Sequence, residues 1–399
     1  MTNLPHQPNQ PASPHQPNQP ASPHKPRPPH LPTQARHFTQ QVLVGKVAIG
    51  SGAPVVVQSM LSAPTTDVEL CCKTIKELAA QGCELIRIAV PNTQALPAFK
   101  RICASSELPV IADIHFDYVL AIEAARRGAA KLRINPGNIG SMDRVNAIID
   151  ECGARGIPIR IGVNAGSLEK AFAERTDLTQ TEKLVGSAVS FVEHFHSRGF
   201  KNIVLSAKAH DVSTTIETYR LLSERLPTIP LHLGVTEAGT LTQGTVKSAL
   251  ALGTLLREGI GDTLRVSLTA PEYDEVRIAW EILAAVGLRR RSPELISCPT
   301  CGRCEVDLQG IAREVDECLQ SIQVPLAVAV MGCMVNGPGE AREADVGVAC
   351  GKGKGAIFSH GEVLYTVDEQ RIVAALFDEV EHHIADGLIA KKPSSLDST

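Results

Sequence analysis

Aromatic side chains make up only 4% of the 399 residues, with a single tryptophan, and no apolar run approaches the roughly 20 residues a membrane-spanning helix requires. The first scarcity removes the stacking platforms of single-strand nucleic-acid binders. A net charge of -4 removes the basic footprint as well, so neither nucleic acid nor membrane is an expected partner. The N-terminus lacks the apolar core of a secretory signal, which makes the cytoplasm the expected compartment. Eleven cysteines in such a chain are expected to remain thiols, because the cytosol is reducing. Three motifs are also missing. There is no second C-x-x-C to complete a four-cysteine zinc site, no C-x3-C-x2-C run of the radical type, and no G-x-G-x-x-G dinucleotide turn.

What is present divides the chain into three. Residues 5–13 read PHQPNQPAS and residues 14–22 repeat them. Proline at that density joins neither helix nor sheet, so residues 1–36 are expected to form a disordered tail. From about residue 40 to 288, eight β-rich runs alternate with amphipathic segments such as DVELCCKTIKELAAQG. The runs are PVVVQSM, ELIRIAV, PVIADIHF, KLRINPG, PIRIGVN, NIVLSAK, LHLGVTEAG and TLRVSL. Eight such units predict a TIM (β/α)8 barrel over residues 37–290. After Arg291 the pattern changes to a helix over 306–322, a strand over 324–332, strands around DVGVA and EVLYTV, and a last helix from Asp368. Residues 291–399 therefore read as a small α+β domain.

Each barrel run ends in polar residues that packing does not require. In order these are Gln58 and Ser59, Arg87, Asp113 with His115, Arg133 with Asn135, Arg160 with Asn164, Ser206 with Lys208, Thr236 with Glu237, and Arg265 with Ser267. Strand ends of a barrel converge on one mouth. Arg87, Arg133, Arg160, Lys208 and Arg265 would then surround one cavity and repel one another unless an anion enters. A compact substrate with more than one phosphate fits them; pairing with Asp113 and Glu237 is the alternative.

The cysteines from 298 onward form the second constellation. Cys298-Pro-Thr-Cys301-Gly-Arg-Cys304 precedes Cys333, which closes an apolar strand and opens the loop MVNGPGE. Thiolates from Cys298, Cys301 and Cys333 would hold three corners of an iron-sulfur cubane, with the glycines at 332, 337 and 339 letting backbone amides approach sulfide. Glu340 and Cys304 compete for the fourth corner, and the residues alone leave that choice open. Cys71, Cys72, Cys83, Cys103 and Cys152 sit in amphipathic context and read as small buried hydrophobes.

In sequence order, VVVQSM, RIAVPN, DIHFD, LRINPGNIG, RIGVNAGSL, HLGVTEAG, RVSL, SCPTCGR and MGCMVNGPGEAREAD make the chain resemble the 4-hydroxy-3-methylbut-2-enyl diphosphate synthase family. The resemblance covers almost everything after the tail. It implies a [4Fe-4S] cluster on Cys298, Cys301, Cys333 and Glu340, leaving Cys304 out. It implies a cyclic diphosphate bound by Arg87, Arg133, Arg160, Lys208 and Arg265, with Asp113, His115, Asn135, Asn164, Ser206, Glu237, Ser267 and Asn336 as polar partners. It also implies reductive ring opening of 2-C-methyl-D-erythritol 2,4-cyclodiphosphate with electrons from ferredoxin or flavodoxin, and for that reaction Glu237 is the candidate for proton delivery, or else an ion-pair partner of a neighbouring arginine. The implied assembly is a homodimer in which the cluster domain of one subunit covers the barrel of the other. Two rival classes remain: a barrel enzyme with a structural zinc on its tail, and a non-catalytic iron-sulfur carrier.

Overall fold

A computed structural model of the protein describes residues 35–333, 341 and 344–390, the last five of these by their backbone alone. The expected tail lies outside the described residues as far as residue 34. Its last residue, Arg36, is part of the folded unit: its guanidinium donates to Asp262 Oδ1 at 3.1 Å and to the Gly261 carbonyl at 3.3 Å. The chain forms two compact units. One runs to Glu294 and includes Cys318–Pro325, and the other combines Leu295–Glu317 with the chain from Leu326 onward.

The first unit opens with a hairpin that the sequence reading did not foresee. Strands β1 (Val42–Val44) and β2 (Val47–Ile49) pair antiparallel across a two-residue turn, which Gly45 permits at φ 57°. Val42, Val44 and Ile49 then pack against Val56, Leu85, Ile111 and Val204 at the inlet ends of four strands. The hairpin thus closes the barrel's lower end with apolar side chains.

Eight parallel strands follow: β3 (Val56–Met60), β4 (Leu85–Ala89), β5 (Val110–Ile114), β6 (Lys131–Ile134), β7 (Ile159–Asn164), β8 (Ile203–Lys208), β9 (His232–Leu233) and β10 (Thr263–Leu264). Their order is β8-β7-β6-β5-β4-β3-β10-β9. A parallel bridge from Leu205 to Leu231 returns β8 to β9, backed by Leu205 N–H donating to the Pro230 carbonyl at 2.9 Å. The expected TIM barrel is therefore present, each strand lying inside its expected run. Three of the helices between strands start at an aspartate cap, Asp67, Asp117 and Asp211; the Asp67 carboxylate accepts from Leu70 N–H at 3.0 Å at the head of helix Val68–Ala80.

The second unit is a mixed sheet of β11 (Glu294–Ser297), β12 (Ala327–Met331), β13 (Val346–Gly351), β14 (Lys354–Ser359) and β15 (Glu362–Asp368), in that spatial order. β12 and β13 are parallel, and the pairs after them are antiparallel. Helix Ile372–Ala390 packs on β13 and β14 through buried Ile372, Ala375, Leu376 and Val380. It begins four residues later than expected, because β15 runs on to Asp368 and a short 3-10 turn intervenes. β11 and β14 were not expected at all; glycines at both ends of GKGKGAIFSHG masked the strand between them. No described helix is long and apolar enough to cross a membrane.

Candidate active site

Alternation along each barrel strand sends every second side chain inward. Register aligns Asp113 of β5 with Arg133 of β6, and Arg133 with Arg160 of β7, so three charged residues expected at the mouth are neighbours across adjacent strands. Arg133 Nη1 donates to Asp113 Oδ1 at 3.2 Å, while Arg87 Nε lies 3.8 Å from Asp113 Oδ2. Burial opposes ionisation of Asp113, yet Arg87, the His115 contact and Arg133 together hold its carboxyl well below the usual carboxylate range. Arg87 also directs Nε and Nη2 at Met60 Sδ, at 3.1 and 2.8 Å, a weak acceptor for so buried a cation. Among the described residues Arg160 is bonded by Ser206 Oγ alone, at 3.3 Å. Arg265 is held by Glu275, a residue of helix Glu272–Ala285 absent from the sequence-based set.

Burial pushes Arg87 down to about 10, and burial followed by Arg87 and Arg133 pushes Arg160 in the same direction. A guanidinium does not give up its proton in a protein. The repulsion therefore stands, and a bound anion would relieve it. Lys208 is likewise shifted well below its usual value, by burial first and then by Arg160, Arg87, Arg265 and Arg133. Two strand glycines make room for these side chains. A Cβ on Gly162 would fall 2.7 Å from Arg133 Nε, and one on Gly234 would fall 2.4 Å from Lys208 Nζ.

The remaining expected residues take varied positions. His115 is half-exposed, its Nε2 3.2 Å from Asp113 Oδ2. With its amide oriented to satisfy both ends, Asn164 accepts from Arg133 Nη2 at 3.0 Å and donates to the Val163 carbonyl at 3.1 Å. Asn135 is turned to local structure: its oxygen accepts from Gly137 N–H at 3.1 Å and its nitrogen donates to Ser167 Oγ at 2.9 Å. Ser267 is half-buried just beyond β10. Glu237 is exposed, makes no ion pair among the described residues, and sits at φ 53°, a left-handed conformation that a non-glycine residue adopts at a cost. Backbone bonds on either side hold it there, from Thr236 N–H to the Ala209 carbonyl at 3.1 Å and from Thr269 N–H to the Gly239 carbonyl at 3.0 Å.

Sequence reasoning missed Met60, Glu275, Lys131 and His232, all turned into the barrel. The signal was available for two of them: Lys131 stands two residues before Arg133, and His232 four before Thr236, so each shares a face already identified.

In the second unit, β11 delivers Cys298 beside the end of β12, where Cys298 N–H donates to the Val330 carbonyl at 3.4 Å. Gly332 N–H points back at Cys298 Sγ, 3.2 Å away. A Cβ on Gly332 would lie 3.1 Å from Cys304 Sγ and 3.4 Å from Cys298 Sγ, so only glycine leaves these sulfurs their space. The Arg303 guanidinium bonds the Cys301 sulfur and then the Cys333 sulfur, which raises its pKa. Sulfurs bonded by a backbone N–H and a cation suit thiolates that carry an inorganic cluster. Among the described residues no three metal-ligating side chains are gathered tightly enough to hold an ion by themselves. Asn336 and Glu340 lie outside the described residues. Of the barrel cysteines, Cys71, Cys83 and Cys152 are buried, and burial raises Cys71 to about 11 and Cys83, Cys103 and Cys152 to about 12, as inert thiols require.

Comparison with known proteins accounts for both units. The family model described as the GcpE TIM-barrel domain matches residues 39–280, and that of the GcpE protein C-terminal domain matches residues 294–382. A protein of Lawsonia intracellularis named 4-hydroxy-3-methylbut-2-en-1-yl diphosphate synthase (flavodoxin) is 49% identical over 352 residues, 88% of this chain and 98% of its own. One of the same name from Geobacter sulfurreducens is 50% identical over 348 residues, 87% of this chain and 98% of its own. The chain belongs to the 4-hydroxy-3-methylbut-2-en-1-yl diphosphate synthase family. The family match includes every residue placed at the barrel mouth, from Arg87 to Ser267, and the second matched segment includes Cys298, Cys301, Cys333 and Glu340.

Proposed function

We propose that this chain is the oxidoreductase that opens 2-C-methyl-D-erythritol 2,4-cyclodiphosphate to (E)-4-hydroxy-3-methylbut-2-enyl diphosphate. The cyclic dianion takes two electrons and one proton, and yields the allylic diphosphate trianion and water. The observation that carries this reading is the barrel interior, where Arg87, Arg133, Arg160, Lys208 and Arg265 converge and, among the described residues, Asp113 and Glu275 are the buried carboxylates paired with them.

The residues divide the work. Arg87, Arg133, Arg160 and Lys208 bind the two phosphate groups and stabilise the charge that develops as the phosphate oxygen leaves C2. Asp113 fixes Arg87, Arg133 and His115 in place, Asn164 and Ser206 orient Arg133 and Arg160, and Glu275 fixes Arg265. Ser267, Asn135 and Asn336 are assigned to the substrate's polar rim. Glu237 delivers the proton with which the C3 hydroxyl leaves as water, and its left-handed backbone is the strain that this position carries.

A [4Fe-4S] cluster on Cys298, Cys301, Cys333 and Glu340 would supply the electrons one at a time and a Lewis-acidic iron. Gly332 N–H and Arg303 offset the charge of its thiolates. We assign residues 37–290 to the substrate and 291–399 to the cluster. Flavodoxin, which the relatives' name includes, is the donor in this reading, with ferredoxin as the substitute. The working form is a cytoplasmic homodimer, a compartment that keeps the cluster thiols reduced.

The deciding experiment incubates anaerobically purified protein with the cyclodiphosphate and a low-potential reductant. Formation of the allylic diphosphate, with about four irons per chain, is the expected result. A colourless zinc protein that leaves the substrate unchanged would overturn the reading.

A further inference from the structure

Beneath the mouth, four polar side chains on four strands are buried without partners among the described residues. Lys131 Nζ, both ring nitrogens of His232, both amide atoms of Gln58 and the Thr263 hydroxyl are buried and meet no hydrogen-bond partner among the described residues. None of the four residues is more than 2% exposed. Packing does not explain them, since an apolar side chain of the same size would fold at lower cost.

Their charged neighbours are almost all cations. Lys131 faces Arg160 and Arg87, and His232 faces Arg160, Lys208, Lys131 and Arg87. The Tyr219 hydroxyl donates to the His232 carbonyl at 2.6 Å and leaves the ring untouched. The buried carboxylates are committed elsewhere: Asp113 to Arg87 and Arg133, Glu275 to Arg265, and Asp262 to Arg36, Thr39 and Leu231 N–H. Burial first, and Arg160 after it, pushes both the Lys131 amine and the His232 ring well below their usual values. With guanidiniums that keep their charge beside them, both bases favour the neutral form.

We propose that Lys131 and His232 are charge-compensating positioning residues, each taking up a proton as the doubly anionic cyclic diphosphate settles on the cations above them, without touching it. The inference rests on the reading of the mouth as that substrate's site. An anion reverses the field that Arg87 and Arg160 impose, so protonation that was unfavourable becomes favourable. Substrate affinity then falls as pH rises, by about tenfold per pH unit for each proton taken up.

The test is calorimetric titration of the anaerobic holoprotein with the cyclic diphosphate, without reductant, in two buffers of equal pH and different ionisation enthalpy. Each phosphate of this ligand has one ester and one anhydride bond and carries no proton near neutral pH, so any proton taken up belongs to the protein, and the variants separate Lys131 and His232 from Lys208, which is shifted in the same direction. The expected result is uptake of about one to two protons per chain, lowered in Lys131→Met and in His232→Gln, with a shallower pH dependence of affinity in both. Lys131→Met is also expected to raise the thermal midpoint while weakening binding, a pairing that a merely structural lysine would not produce. Heat independent of the buffer, or undiminished uptake in both folded variants, would overturn the proposal. Failure of the ligand to bind at all would remove the substrate reading, and is distinct from binding without proton uptake.

Discussion

Glu275 grips Arg265 with both carboxylate oxygens, at 3.1 Å to Nη2 from each, and also accepts from Leu268 N–H at 2.9 Å. Among the mouth cations, Arg265 is the one bonded by a helix residue from outside the strands. The pair fixes the loop after β10 to the barrel wall, and in the function proposed above Arg87, Arg133, Arg160 and Lys208 are the residues left to bind phosphate.

Glu275→Ala should therefore act mainly on stability. Breaking a buried pair by removing one partner costs about 3–5 kcal/mol, to be read as a lowered midpoint in urea denaturation. A variant as stable as the parent would show that Arg265 finds another counter-charge.

Asp113 sets a pH dependence of opposite character. Its folded-state carboxyl is held below the usual range, so the stability it contributes is fully present above about pH 4 and is lost as pH falls through the folded value. Asp113→Asn should be less stable than the parent at pH 7, with a gap that narrows below about pH 4, and should raise KM by releasing Arg87 and Arg133. A stability gap that stays constant down to acid unfolding would contradict this.

Glu237 trades stability for position. Glu237→Gly should gain up to about 1 kcal/mol, because glycine adopts φ 53° without the steric cost. It should lose turnover by roughly 100-fold or more, as should Glu237→Gln, with the cluster and substrate binding intact. Normal turnover in Glu237→Gln would take proton delivery away from this residue.

Gly332→Ala places a methyl carbon 2.9 Å from Leu308 Cδ2 and 3.1 Å from Cys304 Sγ. Iron content and visible absorbance should both drop, while the barrel's thermal transition is unchanged. Cys333→Ser should abolish the absorbance outright, whereas Cys304→Ser should retain it. Loss of the cluster in Cys304→Ser would make Cys304, rather than Glu340, the fourth ligand.

Periodicity by itself determined the barrel, because eight apolar runs at regular spacing bury a parallel sheet in only a few ways. It also determined the strand-end cations, since residues that alternate with core positions must face the same interior. The C-x-x-C spacing marked out Cys298 and Cys301, and the apolar strand that ends just before it marked out Cys333, whereas β11, which leads to Cys298, was not legible. What only the tertiary structure decided is who meets whom. The hairpin Val42–Ile49 carries no signal of its role until it is seen against Val56 and Val204 from distant segments. Glu275 lies in an ordinary amphipathic helix, and only the fold brings it to Arg265. Lys131 and His232 are separated by 101 positions in the chain, and their shared isolation exists only because β6 and β9 face one interior. Local pattern sets which way a side chain points, but desolvation and field depend on every strand that closes around it.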